Sequence, residues 1–288
     1  MFSITSLLVA QFCAICYLKI DSLAEPLLGN EHSEIRKTSE IHVTSVAVIV
    51  DKYSINNANA HLCTGTLVTR TQILTAASCL KKISNVNQLE VIFGTTNTIA
   101  PRHRKFDVLS KLTYEDWCKN RRNCFLEEHT DDICILKLKT PAVGIPAATI
   151  SGLNGFAKDI ATPVSGTRAK LLGWGHTKDE IRPKEPVKGN TYILSKGACE
   201  ERVKKQISSC LSDVVLPEKV LCSAANPPVL GAQGDFGGPV SFDNDRSISA
   251  ILIQRCPIYH PNDIRQDQVN LLLYLAFYRG FLSSTLEF

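Results

Sequence analysis

Short runs of β-branched and apolar residues, separated by polar and glycine- or proline-rich stretches, recur along most of the chain. Val43 to Val50 (Val-Thr-Ser-Val-Ala-Val-Ile-Val) predicts a strand, the Asn/Ser/Ala stretch from Ser54 to Ala60 a turn, and Leu62 to Val68 a second strand. Apolar positions alternate again in Leu89-Glu90-Val91-Ile92-Phe93 and in Phe106-Asp107-Val108, and Leu271 to Leu275 reads as the last strand. Pro141 to Gly166, with Pro146, Gly152, Gly155 and Pro163, predicts a loop that divides the chain into two halves. Helix-forming residues gather only locally, from Glu200 to Ile207. Many short strands separated by turns suit an all-β fold.

Composition narrows the class without naming a function. At 288 residues, 44% hydrophobic and 21% charged, the chain can bury a full core, and disordered, collagen-like and membrane-spanning classes are excluded. The net charge of +4 is mild. Its basic clusters at Arg102 to Lys105, Lys119 to Arg122 and Arg202 to Lys205 are interrupted by acidic neighbours, so they read as solvated loops and no nucleic-acid partner is expected. Residues 2–18 form an apolar, uncharged run followed by Ser22-Leu23-Ala24, whose small residues suit signal peptidase. Residues 1–24 are therefore expected to be a signal peptide, with the mature chain starting at Glu25 and secreted. The run is also short for a membrane span, and no membrane partner is expected. Of the eleven cysteines, Cys13 and Cys16 leave with that peptide, so nine remain. Such a count fits an oxidising, extracellular destination, and an odd number leaves at least one unpaired. Cys118 and Cys124 bracket Lys-Asn-Arg-Arg-Asn in a loop that a local disulfide would close.

Four motifs carry a resemblance. Gly234-Asp235-Phe236-Gly237-Gly238-Pro239 resembles the GDSGGP signature of trypsin- and chymotrypsin-like serine peptidases, with Phe236 in the place of the nucleophilic serine. Cys63-Thr64-Gly65-Thr66-Leu67 through Leu74-Thr75-Ala76-Ala77-Ser78-Cys79 resembles CGGSL…LTAAHC, with Ser78 in the place of the general-base histidine. Asp132-Ile133-Cys134-Ile135-Leu136-Lys137-Leu138 resembles DIALLKL and keeps the aspartate, and Leu171-Leu172-Gly173-Trp174-Gly175 resembles the GWG strand. The resemblance implies two antiparallel six-stranded β-barrels with a short C-terminal helix. Within one peptidase domain over 25–288, barrel one would occupy about 40–140, barrel two about 165–275 and the helix about 276–285, with Phe281 in the place of a tryptophan.

It also implies a degraded site. In the family, a histidine takes the proton of the serine hydroxyl, an aspartate orients the histidine, and backbone N–H groups receive the oxyanion. Here the triad positions are Ser78, Asp132 and Phe236, the oxyanion-hole remnant is Gly234 and Phe236, Leu230 stands at the pocket floor and Asn270 in its wall. His129 sits on the loop feeding the Asp132 strand, out of place as a substitute base. Leu27-Leu28-Gly29-Asn30 faintly resembles the family's activated start, but Glu25-Pro26 precedes it and no basic residue does, so no activating cut is expected. Family geometry pairs Cys63 with Cys79 and Cys199 with Cys222; Cys210 could pair with Cys256, whose usual partner position is Ala232. Cys134 is the candidate free thiol. The expected function is that of a secreted, non-catalytic homologue that binds another secreted protein, such as a protease or its substrate, without cofactor or metal. A serine-type endopeptidase with a rearranged site is the alternative.

Overall fold

The computed structural model describes residues 28–29, 36–37, 44–54, 61–94, 104–119, 121, 124, 126, 130–153, 162–175, 186–204, 215–226, 228–232, 234–242, 247–256 and 266–287. The expected signal peptide, His129 and Cys210 lie outside them.

Two short strands come first, β1 (Leu28–Gly29) and β2 (Arg36–Lys37). Then β3 (Val46–Asp51), β4 (His61–Leu67), β5 (Gln72–Thr75), β6 (Leu89–Phe93), β7 (Arg104–Thr113) and β8 (Cys134–Leu138) close an antiparallel barrel in the order β3-β4-β5-β8-β7-β6. The pleat of β8 explains how this barrel has two buried sides. Cys134, Leu136 and Leu138 point into its core, while Ile135 joins the cluster outside it. On β5, Ile73 and Leu74 divide in the same way.

The second barrel uses β9 (Arg168–Gly173), β10 (Val187–Ile193), β11 (Val220–Ala224), β13 (Pro239–Phe242), β14 (Ala250–Cys256) and β15 (Val269–Tyr274). Their order is β11-β15-β14-β13-β9-β10, and the β10–β11 pairing closes the ring. The remaining short strand, β12 (Val229–Leu230), pairs with β1, and β2 adds to β10. Helix α1 (Tyr114–Cys118) leaves the first barrel, α2 (Lys196–Lys204) precedes β11, and a 3-10 turn at Leu275–Tyr278 leads into α3 (Arg279–Thr285). The helix expected at Glu200 to Ile207 begins earlier, with Ser195 accepting a hydrogen bond from the Ala198 amide, so Cys199 lies inside the helix rather than beside it. Its residues after Lys204 lie outside the described segments.

The largest apolar cluster lies between the barrels. It joins Val68, Leu74, Ile133 and Ile135 of the first half to Ile251, Ile253, Leu271 and Leu273 of the second, and α3 covers it with Phe281 and Leu282. Polar ties cross the same seam. Asp131 takes an ion pair from Lys219 at 2.5 Å and a hydrogen bond from the Tyr278 hydroxyl at 2.6 Å. Gln72 of β5 donates to the Thr285 carbonyl at 2.7 Å and accepts from the Glu287 amide at 2.8 Å. Burial, then the nearby Asp131 carboxylate, pushes the Tyr278 hydroxyl well above the usual tyrosine range. Among the described residues, no helix is long and apolar enough to cross a membrane.

Candidate functional site

Asp132 stands at the entrance to β8 and is 5% exposed. Its two carboxylate oxygens face Ser78, which sits where β5 gives way to a 3-10 turn at Ser78–Leu80. The Ser78 hydroxyl donates to Oδ2 and the Ser78 amide to Oδ1, both at 2.6 Å. One small residue thus supplies two donors to a buried carboxylate, a strong arrangement because the acceptor is charged.

The turn carrying Phe236 belongs to the second barrel but is held from the first. Gly234 and Gly237 have φ of 92° and 82°, a left-handed conformation that glycine adopts without strain. A Cβ on Gly237 would also lie 2.4 Å from the Thr64 carbonyl oxygen. The Asp235 carboxylate is inside, accepting from the Gly175 amide at 2.7 Å and the Ala232 amide at 3.1 Å. This contact explains the glycines of the Gly173-Trp174-Gly175 segment: a Cβ would meet Asp235 oxygens at 1.9 Å from Gly173 and 2.3 Å from Gly175. Trp174 between them is 1% exposed and donates its indole N–H to the Val46 carbonyl.

Thr64, which the motif reading passed over, is the hub of this region. Its amide donates to the Phe236 carbonyl at 3.0 Å, and its hydroxyl donates to the Gly234 carbonyl at 2.7 Å while accepting from the Trp174 amide at 2.9 Å. The available signal was a hydroxyl-bearing residue at the first glycine of the CGGSL pattern. His61 was also passed over; it is buried at the start of β4, with its ring against Gly234. Ser78, Asp132 and Phe236 are brought together through this lattice, since Ser78 precedes Cys79, Cys79 is bonded to Cys63, and Thr64 follows Cys63.

Phe236 is half-buried, its ring packed against the core of the second barrel, which contains Val229, Leu252 and Leu272. Leu230 is buried, and Asn270 is 0% exposed. The Asn270 amide clamps the strand beside it, accepting from the Gly231 amide at 2.7 Å and donating to the Val229 carbonyl at 2.9 Å. Asn270 is therefore a fully engaged crosslink, an outcome its residue type alone did not announce.

Disulfides join Cys63 to Cys79, Cys118 to Cys124 and Cys199 to Cys222. Cys134 is a buried free thiol, which burial pushes up to about 12. Cys256 is buried at the end of β14, near which Asn270 pairs with Arg255. No group of three histidine, cysteine or acidic side chains that could hold a metal is found among the described residues.

Two closed barrels, with a glycine-rich turn of the second held against the first, define the architecture of trypsin-like serine peptidases. The family model described as Trypsin matches residues 36–253, and the chain belongs to that family. It is similar to the snake venom serine protease rhinocerase 4 of Bitis rhinoceros, with 25% identity over 231 residues that cover 74% of this chain and 77% of that protein. The solved structure of neuropsin, a serine protease expressed in the limbic system of mouse brain, aligns with a TM-score of 0.65 over 88% of this chain and 99% of its own. At 19% identity that likeness concerns the fold.

Proposed function

We propose that this chain is a secreted, catalytically inactive member of the trypsin family that works by binding another protein, as a cofactor or decoy in an extracellular proteolytic cascade or as a venom component. The observation that carries the reading is the Ser78–Asp132 pair. The carboxylate that would orient an imidazole is held at 2.6 Å by a hydroxyl and by an amide of the same residue, and Phe236 has no hydroxyl for any base to activate. Losing the serine or histidine alone costs about 10⁶-fold in kcat in a related mechanism, which exceeds what binding can recover. Three disulfides and a venom protein among the relatives support secretion.

The test is a fluorophosphonate probe applied to the purified chain, with turnover measured on mixed peptide substrates. No labelling and no turnover are expected. Labelling at Ser78, the hydroxyl beside the buried carboxylate, would replace this reading with that of a peptidase whose site is rearranged. A pull-down from the fluid of origin then identifies the protein that is held.

A further inference from the structure

The Cys118–Cys124 disulfide takes no part in the contacts described for the site. The base of its loop is fixed by the strand that follows Asp132: Thr113 pairs with Cys134, and the Tyr114 amide donates to the Ile133 carbonyl at 3.1 Å. Its helix is bolted to α3. The Trp117 indole donates to the Ser284 hydroxyl at 3.0 Å, meets the Phe281 ring edge-on at 5.6 Å and stacks on Tyr114 at 5.5 Å, while Tyr114 meets Tyr278 edge-on at 4.9 Å. The disulfide then closes a ring over a sequence separation of 6. Trp117 is thus held in place by α3 and lies next in sequence to a crosslinked cysteine.

The ring carries Lys119, Arg121 and Arg122 and no acid. Lys119 is turned back onto its own helix, 2.7 Å from Asp116 and 3.7 Å from Glu115. Arg121 is exposed, and its guanidinium lies 4.1 Å from the centroid of the Trp117 ring.

We propose that Arg121, held over Trp117, is the docking point for a carboxylate on an acidic segment of the protein partner, a refinement that rests on the binding role proposed above. A guanidinium presents parallel N–H donors that match a carboxylate in a bidentate pair. The aromatic face restricts the side chain before binding, so less freedom is lost when the pair forms. Glu115 and Asp116 on one side and Glu127 and Glu128 in the sequence on the other disfavour a continuous polyanion such as a nucleic acid or a sulfated glycan. A short acidic stretch reaching one arginine avoids most of that repulsion.

The test follows nitrogen-bound protons by NMR in the full chain, using the peptide acetyl-Gly-Glu-Glu-Glu-Glu-Gly-amide at low ionic strength. The chain has only two tryptophans, and Trp174 is buried. The Trp117 indole and the Arg121 side-chain N–H should shift saturably, with a dissociation constant on the order of 1 mM, while Trp174 stays still. Arg121→Glu should abolish the shift and Arg121→Lys should weaken binding several-fold, because an ammonium cannot form the fork. The proposal is overturned by an absent shift, by an equal response to the glutamine version of the peptide, by unchanged binding in Arg121→Glu, or by a heparin hexasaccharide binding more tightly at Arg121 than the peptide does. Fluorophosphonate labelling would remove the inactive reading without touching this titration, and a flat titration would leave the inactive reading standing.

Discussion

The two halves of the site hold their side chains in opposite ways. On the first-barrel side, a polar group still answers a polar group: Ser78 gives two hydrogen bonds to a carboxylate that burial would otherwise penalise. On the second-barrel side, the backbone of Gly234 to Pro239 keeps its left-handed glycines and its buried Asp235, but the side chain at its centre packs on the apolar core. Backbone architecture and side-chain chemistry are thus separable. The turn is needed to join the barrels through Thr64, whatever residue it displays.

If that is so, the largest damage comes from the turn's glycines. Gly237→Ala combines a positive φ with a Cβ 2.2 Å from the Thr75 hydroxyl and 2.4 Å from a carbonyl oxygen, so a loss of about 4 kcal/mol is expected in urea unfolding. A loss below about 1 kcal/mol would show that the turn is not the join. Next is the opposite half: Ser78→Ala removes the hydroxyl donor from a buried carboxylate and should cost about 2 kcal/mol, with Ser78→Thr recovering part of it.

Phe236→Ser should cost somewhat less, about 1–2 kcal/mol, because the ring is only half-buried, and it should yield no peptidase. Even Phe236→Ser with Ser78→His should recover only a small fraction of a normal rate, since Leu230 and the Asn270 clamp would remain. Misplacing reacting groups by about 1 Å can cost about 10²-fold. Robust turnover by the double variant would mean that only the two side chains had changed in function.

The smallest effect concerns Cys134, behind the Asp132 half. Its thiol is raised from 9.0 to about 12 by burial, so the unfolded chain releases this proton at lower pH than the folded one. Stability from this group is intact below the unfolded value and is lost as pH rises toward the folded value. At pH 10 the loss should be on the order of 1 kcal/mol, and it should vanish in Cys134→Val when the two are compared by urea unfolding at pH 7 and pH 10. A slope shared by both proteins would place the alkaline sensitivity elsewhere.

The motifs were legible in the sequence because each is a set of contacts: Gly173, Gly175 and Asp235 are one packing event, and so are Thr64 and the Phe236 turn. Other elements were hidden for physical reasons. Val187-Lys188-Gly189-Asn190-Thr191-Tyr192-Ile193 contains strand-poor residues, yet it pairs with β9 at six positions because tertiary closure overrides propensity. Ala250 to Cys256 is buried along its whole length, so it lacks the alternation that marks a half-exposed strand. Helix α1 is only five residues long and is set by the Thr113 cap and by packing on α3, which no local pattern reports. The role of Asn270 depends on Val229 and Gly231, about forty residues away, and is invisible until β12 and β15 are side by side.

The bonds from Gln72 to Thr285 and Glu287 span sequence separations of 213 and 215. The Gln72 oxygen has a local donor in the Thr69 hydroxyl, but during synthesis its NH2 group must wait for nearly all of the second barrel to be translated before it reaches the Thr285 carbonyl. The Lys219–Asp131–Tyr278 knot imposes the same delay on the segment leading to Asp132. Domains tend to form as the ribosome delivers them. Until α3 is delivered, Val68, Leu74, Ile133 and Ile135 lack the cover that Phe281 and Leu282 give them in the folded chain. A chaperone would find its grip on that surface.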